Sequence, residues 1–496
     1  VNVLSVVVFL PLVAAVVLFA VPRVPDRFVR WWWLAVAAAD FALVIALWVG
    51  YPGGDGYAYE VNLRWIPSVS SGYHLGVDGL SLPLVALTAG LFLACAVYSL
   101  RQDKRVRSFA ALFLFLETVS LGLFVALDLI LFFVFFDLSI VGMYFVIAGW
   151  GHRDAARAAV KFFLYTFVGS LALLVGFIAL YLAASPHTFD IVELTRQMPL
   201  AGGGWVAGLV LLALGVGFAI KTPTVPFHTW LPPAHTEAPA AGSAILAGVL
   251  LKMGTYGFVR IMMPILPDTW RRYAAVFVVI GVISVLYGAF VALAQRDFKR
   301  MIAYTSVNHM GYIILAVGAA GLVADSAAEA RQLAVTGAVT QMVSHGLITG
   351  ALFLLAGVLY DRGGTYDMSR YGGMAASAPR FAGLAAVAAF ASLGLPGFSG
   401  FIAEFQIFTG SLGATPVATV LAFLGILVTA ALFLRAFQRI FLGPARSAEP
   451  AADLTVTEGV SIAPLLVLAV VIGVFPRFLL DLIEPASRAV LDLMAR

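Results

Sequence analysis

Cysteine is almost missing: Cys95 is the only one in 496 residues. One thiol excludes a disulfide framework and leaves no thiolate set for an iron–sulfur cluster or a zinc site. Charge is scarce as well, at 11% Asp, Glu, Lys and Arg, where a soluble chain carries roughly a quarter. The net charge of +4 is too small to point to nucleic acid. No Gly-rich loop follows a strand, so no segment is built to cradle a nucleotide phosphate or a flavin. The first apolar run, 3–21, lacks a basic start and a small-residue cleavage site, and is expected to be a helix rather than a leader.

What the chain has is apolar length. Hydrophobic residues make up 62%, the mean hydropathy is +1.00, and run after run approaches the ~20 residues that span a bilayer. These predict an all-α polytopic membrane protein of about fourteen helices. They fall near 3–21, 31–49, 80–100, 108–126, 128–149, 158–183, 205–232, 238–262, 272–294, 299–320, 331–360, 380–410, 415–442 and 459–480. One acid, Asp128, separates the fourth from the fifth. Lys and Arg in the loops divide about 19 to 8 between the two sides, which predicts both termini on the non-cytoplasmic side. Short loops leave no room for a soluble catalytic domain. Residues 1–496 therefore read as one membrane domain. It comprises helices one to three (1–107), a first repeat (108–262), an inverted second repeat (272–442) and a last helix with its tail (459–496).

Two helices are interrupted. In "GFAIKTPTVPFHTW" (217–230) Pro223 and Pro226 follow directly on Lys221; in "ASLGLPGFSGFIAEF" (391–405) the break at Pro396 precedes Glu404. The two lie five helices apart and so cross in opposite directions, the placement expected of a transporter built from inverted repeats. Each charge suits its backbone, a cation at the end of one half-helix and an anion near the start of another. Carbonyls and amides freed at a break need water or polar partners, so each break is expected to open on a hydrated pocket.

Ionisable residues at membrane depth form a short set: Glu117, Asp137, Lys221, Lys252, His309, His345 and Glu404, with Asp40 a less patterned addition. Each costs at least about 2.5 kcal/mol at a helix centre unless it faces a bundle interior or water. One of them alone reads equally well as a satisfied packing group. The whole set does not. Burial penalises the charged form of lysine and carboxylate alike, and an acid such as Asp137 would restore the charge on Lys221 until it moved away. Lys252, His309 and His345 supply intermediate stations, imidazole being the group that exchanges protons near neutral pH. The pattern is that of a proton relay through the middle of the membrane.

The stretch "KTPTVPFHTWLPPAHTEAPAAGSAILAGVLLKMGTYG" (221–257) resembles the antiporter-like subunits of respiratory complex I, the proton-pumping NADH:quinone oxidoreductase. That family also takes in Mrp-type cation/proton antiporter and membrane-bound hydrogenase subunits. "GVDGLSLPL" (76–84), "FFDLSIVGMYFVIAGWG" (135–151), "FKRMIAYTSVNHMGY" (298–312), "VTQMVSHGLITGALFLLAG" (339–357) and "LGLPGFSGFIAEF" (393–405) resemble its signatures in the expected order. A glutamate at Glu404, where sister subunits usually carry lysine, is similar to the M-type branch. The resemblance implies a central lysine at Lys221, a bridging lysine at Lys252, connecting histidines at His309 and His345, and a terminal proton site at Glu404. It also implies neighbouring membrane-arm subunits, inner-membrane residence, and FMN, iron–sulfur clusters and quinone held by partners, with no cofactor in this chain. Two positions depart from the family. Asp137 stands where a glutamate is usual, and Pro233 where aspartate is usual. Glu117 resembles a secondary family acid that would share the task of Asp137.

Other features read more simply. His228 and His235 fall in the Pro-rich stretch and are expected to be turn or cap residues; His74, His152 and His187 show no pattern. A haem held by His309 and His345 would need small residues opposite and often a second ligand pair. "RQDKRVR" (101–107) is a topology signal and "WWW" (31–33) an interfacial anchor. Besides complex I, the set admits an Mrp-type antiporter or hydrogenase subunit and a non-pumping scaffold, which the buried charges disfavour.

Overall fold

Helices follow the apolar runs closely in the computed structural model, which describes residues 2–21, 23–54, 56–322, 327–446 and 450–494. The first half runs α1 (Val3–Ala20), α2 (Asp26–Val49), a hairpin of β1 (Ala58–Ile66) and β2 (Ser71–Val77), α3 (Ser81–Tyr98), α4 (Val106–Val125), α5 (Leu129–Trp150), α6 (Ala155–Ala183) and the short α7 (Ile191–Gln197). There follow α8 (Trp205–Lys221), α9 (Leu231–Glu237), α10 (Ala240–Ile265), α11 (Pro267–Ala294), α12 (Phe298–Leu322) and α13 (Ala328–Gly363). Last come α14 (Pro379–Ser392), α15 (Ser399–Leu412), α16 (Pro416–Phe441), α17 (Val456–Val474) and α18 (Arg477–Met494). Among the described residues 12 helices are long and apolar enough to span a membrane, and the shorter apolar α8 and α14 complete the expected set.

Local chemistry sets the boundaries. Asp128 does divide α4 from α5, its carboxylate accepting the Ile130 and Leu131 amides. A capping box of Thr455 and Glu458 opens α17, and Glu458 also takes Arg362 of α13 at 2.6 Å. The centre of the molecule is α10, α12 and α13, buried along nearly their whole length, while α1, α2, α6, α16 and α17 turn apolar side chains outward. Glycine lets α11 and α12 meet backbone to backbone. A Cβ on Gly288 would lie 2.6 Å from the Asn308 nitrogen, and one on Gly311 2.7 Å from that of Val285.

Three differences from the sequence reading have physical causes. The seventh helix does not run to 232: α8 stops at Lys221, turns follow, and α9 starts at Leu231. The hairpin escapes a search for spanning runs because each strand is under ten residues and mixed in polarity. The tail is α18, a helix with apolar residues such as Leu479, Ile483 and Val490 on one buried face. Its polar face dilutes any averaged hydropathy. It lies across the start of α3, where a side chain on Gly79 would run into the Leu482 backbone.

His74, patternless in the sequence, fastens the hairpin. Its Nδ1 lies 2.5 Å from Asp190, the N-cap of α7, and its Nε2 2.7 Å from Glu60 of β1. Burial by itself would lower its proton affinity, but the hydrogen bonds and charges of Asp190 and Glu60 outweigh that and hold the imidazolium above its ordinary 6.5. A raised folded value places this stabilisation fully below pH 6.5 and removes it as the pH rises through the raised value. Hydrogen exchange of the β2 amides checks this. Wild type is expected to exceed His74→Gln in protection by roughly 1–3 kcal/mol in acidic buffer, the gap closing in alkaline buffer.

Candidate functional site

Proline at 223 and 226 cannot donate the amides that would continue α8, so the helix ends on Lys221. The carbonyls released there find donors within the chain itself. Phe218 O takes the Thr222 amide at 2.8 Å, Ala219 O that of Thr224 at 3.1 Å, and Ile220 O the Trp230 indole at 3.0 Å. The chain folds back on itself and supplies its own donors. Lys221 is 1% exposed and reaches towards α5, where its Nζ donates to Ser139 Oγ at 2.9 Å and sits 4.7 Å from the Phe136 ring centre. No ion pair within 4.0 Å joins it to Asp137 among the described residues. The half-buried Asp137 carboxylate has one oxygen, Oδ1, with no hydrogen-bond partner among the described residues, and feels the lysine only at longer range.

Lys252 is fully buried on α10 just after a π-helical stretch, Leu246–Leu250. Its Nζ donates to Ala247 O at 2.6 Å, a carbonyl of that stretch, and lies 2.6 Å from His345 Nδ1 on α13. The other ring nitrogen of His345 is 3.2 Å from Ser306 Oγ on α12. The His345 and His309 rings stand 5.4 Å apart, and His309 Nε2 is 4.0 Å from Glu404 Oε1 on α15. A small cavity lined by His309, Gln341, His345, Ser392 and Glu404 leaves room for about one water.

The second break, between α14 and α15, holds Glu404 by subtraction. Gly394 (φ +69) faces the carboxylate so closely that a Cβ would collide with Oε2. Ser399 at the start of α15 pairs its hydroxyl with that of Ser344 on α13 at 2.7 Å. Four of the sequence candidates, Lys252, His345, His309 and Glu404, thus form one line across α10, α13, α12 and α15. Lys221 and Asp137 form a separate group on α8 and α5.

Glu117 belongs to neither. It is fully buried on α4, within the field of Asp40 on α2, and none of the four carboxylate oxygens has a hydrogen-bond partner among the described residues. Its expected share in the task of Asp137 has no contact behind it. The sequence reading also missed two residues. His235 is no turn or cap: it is fully buried on α9, stacked on Phe353 at 4.4 Å, with neither ring nitrogen partnered among the described residues and the Lys252 and Lys299 ammonium groups close enough to act on it. The prolines at the first positions of α9 are a helix-start signal that could have placed it. Arg260, in a second π-helical stretch of α10, makes a 2.5 Å ion pair with Asp78 and bonds to Tyr256 and Tyr57 at 2.9 and 3.0 Å. In the loop after α5, burial and then the Lys299 charge push His152 down to about 4, leaving a neutral ring against Tyr360 and Tyr366. Among the described residues no cluster of His, Cys, Asp or Glu could hold a metal.

The family model described as NADH:quinone oxidoreductase/Mrp antiporter, TM, matches residues 126–429. Subunit M of NADH-quinone oxidoreductase from Rhodobacter capsulatus is 38% identical over 98% of this chain and 95% of its own length. The subunit M of Rickettsia bellii is 37% identical over 97% and 96%. A chain of respiratory complex I from Thermus thermophilus superposes with a TM-score of 0.89 at 32% identity, covering 99% of both. A chain of the Mrp complex from a Dietzia species shares the fold, with a TM-score of 0.86 at 24% identity over 99% and 97%.

The contact at Gly394 can be tested by itself. Gly394→Ala is expected to cost roughly 1–3 kcal/mol through strain and the displaced carboxylate. It would show as a lower thermal unfolding midpoint of the purified protein, whereas Gly413→Ala, facing open space, leaves the midpoint unchanged.

Proposed function

The chain belongs to the NADH:quinone oxidoreductase/Mrp antiporter membrane family, and from that premise we propose that it translocates protons as the M-type antiporter-like subunit of an NADH:quinone oxidoreductase. The observation that carries the reading is the 2.6 Å contact between Lys252 Nζ and His345 Nδ1. At that distance the two nitrogens hold one proton between them, since two donors cannot face each other. A proton taken up by His345 on one nitrogen leaves from the other, where the Ser306 hydroxyl can donate or accept. From there the small cavity bridges to His309 and Glu404.

Lys221 is the input to this line. Its hydroxyl partner Ser139 is neutral, so the charge on the lysine depends on how closely Asp137 approaches, and a movement of α5 against α8 would switch it. The seven residues of the relay are then Lys221, Asp137, Lys252, His345, His309 and Glu404 in series, with Glu117 beside them. Redox groups, FMN, iron–sulfur clusters and quinone, belong to partner subunits, and this subunit is driven through its contacts with other membrane-arm subunits. The Arg-rich side is the cytoplasmic one, both termini lie across an inner membrane, and the two broken helices occupy corresponding positions within the inverted repeats. High identity along the whole length supports the M-type reading over an Mrp subunit, for which the fold alone speaks.

Proton pumping per electron in membranes containing the assembled complex tests the proposal. Lys221→Ala, Lys252→Ala and Glu404→Gln are each expected to lower it about ten-fold or more, the scale of a lost proton-transfer group. Undiminished pumping in all three would favour a scaffold. Asp137→Asn is expected to impair pumping more than Glu117→Gln; the reverse order would make Glu117 the controlling acid.

A further inference from the structure

A groove of about 910 Å³ lies between α14 and α17. Leu384 and Val387 of α14 and Val460 and Val467 of α17 form its walls, and Gly383 and Gly459 leave space where side chains would stand. Its mouth holds Arg380 and Thr455. The two helices start at the same end of the molecule, where Asp453 accepts the Arg380 and Phe381 amides at 3.1 and 2.9 Å. Arg380 is exposed, and among the described residues its guanidinium makes no ion pair within 4.0 Å. Asp453, the acid that feels its charge, is occupied by those amides and by that of Leu454.

The depth of the groove selects its occupant. Its lining on α17 runs from Val456 to Val467, which at ~1.5 Å per residue is about 17 Å. One leaflet of a ~30 Å hydrocarbon core is about 15 Å. Below that the groove is shut, because Gly473 of α17 touches the backbone of Gly397 and Phe398 at the break between α14 and α15. A spanning helix of a neighbouring subunit would need the full thickness. An acyl chain needs half.

We propose that this groove binds one acyl chain of an anionic phospholipid, with the lipid phosphate on Arg380. The cation stands at the headgroup end, on the Arg-rich side of the chain, where basic residues attract anionic lipid. The tail enters from the open flank and ends against the backbone of the break that leads to Glu404. The site rests on family membership and geometry, and stands whether or not the proton relay does.

Photolabelling decides it, using the intact complex in nanodiscs of phosphatidylglycerol that carries a photoactivatable acyl chain. Label is expected on peptides within 383–387 and 456–467. Arg380→Gln is expected to lower it about five-fold. Gly459→Leu, whose side chain enters open space, is expected to abolish it with assembly and other labelled sites unchanged. The proposal is overturned by equal labelling from phosphatidylcholine discs, by labelling indifferent to both substitutions, or by cross-links that place a neighbouring subunit's helix in the groove.

Discussion

A cation sealed in hydrocarbon has to find its ligands inside the chain, and Lys252 does so with one backbone carbonyl and one imidazole. Neither ligand is an acid. The contact therefore does not cancel a charge; it places one proton between two facing nitrogens. Much of the surrounding architecture serves that arrangement. The π-helical stretch of α10 presents the Ala247 carbonyl, α13 brings His345 across, and α12 orients its far nitrogen through Ser306. These three helices are the most deeply wrapped in the molecule. Backbone contact at Gly288 and Gly311 draws α11 against α12 and keeps the shell closed.

The two broken helices solve one problem by different means. At Lys221 the freed carbonyls are met by neighbouring amides and an indole, and the lysine turns away towards a hydroxyl. At Glu404 the acid packs on bare backbone beside a void large enough for a water. One end of the set is held by a neutral partner and the other by an absence of side chain. Between them the acids divide. Asp137 lies near enough to Lys221 to feel its charge, whereas the carboxylates of Asp40 and Glu117 find no hydrogen-bond partner among the described residues.

Much of this was legible in the sequence. Apolar length and prolines marked the fourteen spanning segments and the breaks after Lys221 and before Glu404, and the rarity of charge in the runs singled out Lys252, His309 and His345. The run from Lys221 to Gly257 carries the family resemblance by itself. Partnership was not legible, because it depends on which helices touch: Ser139 has no mark in the sequence beyond its residue type, and Asp40, though noted at membrane depth, gave no sign that Glu117 lies near it. Hydropathy, an average over a window, cannot register a nine-residue strand or the two-faced α18. His74 and Arg260 looked idle for another reason. Their partners, Asp190 and Asp78, lie more than a hundred positions away, and only the folded chain brings them to 2.5 Å.

The two π-helical stretches of α10 bear on more than local hydrogen bonding. Each closes an i to i+5 ring, as in Leu251 N to Leu246 O and Met263 N to Phe258 O, and so inserts one residue more than an α-helical turn needs. One residue is about 100° of rotation around the axis. The first stretch sets the azimuth of Lys252 relative to the N-terminal end of α10, and the second, which follows Tyr256 and its bond to the Phe124 carbonyl, carries Arg260 to Asp78. Phase is thus an inherited property of this helix alongside sequence. A relative could keep every ionisable residue, lose a single apolar position between 246 and 250, and present its lysine to a different neighbour.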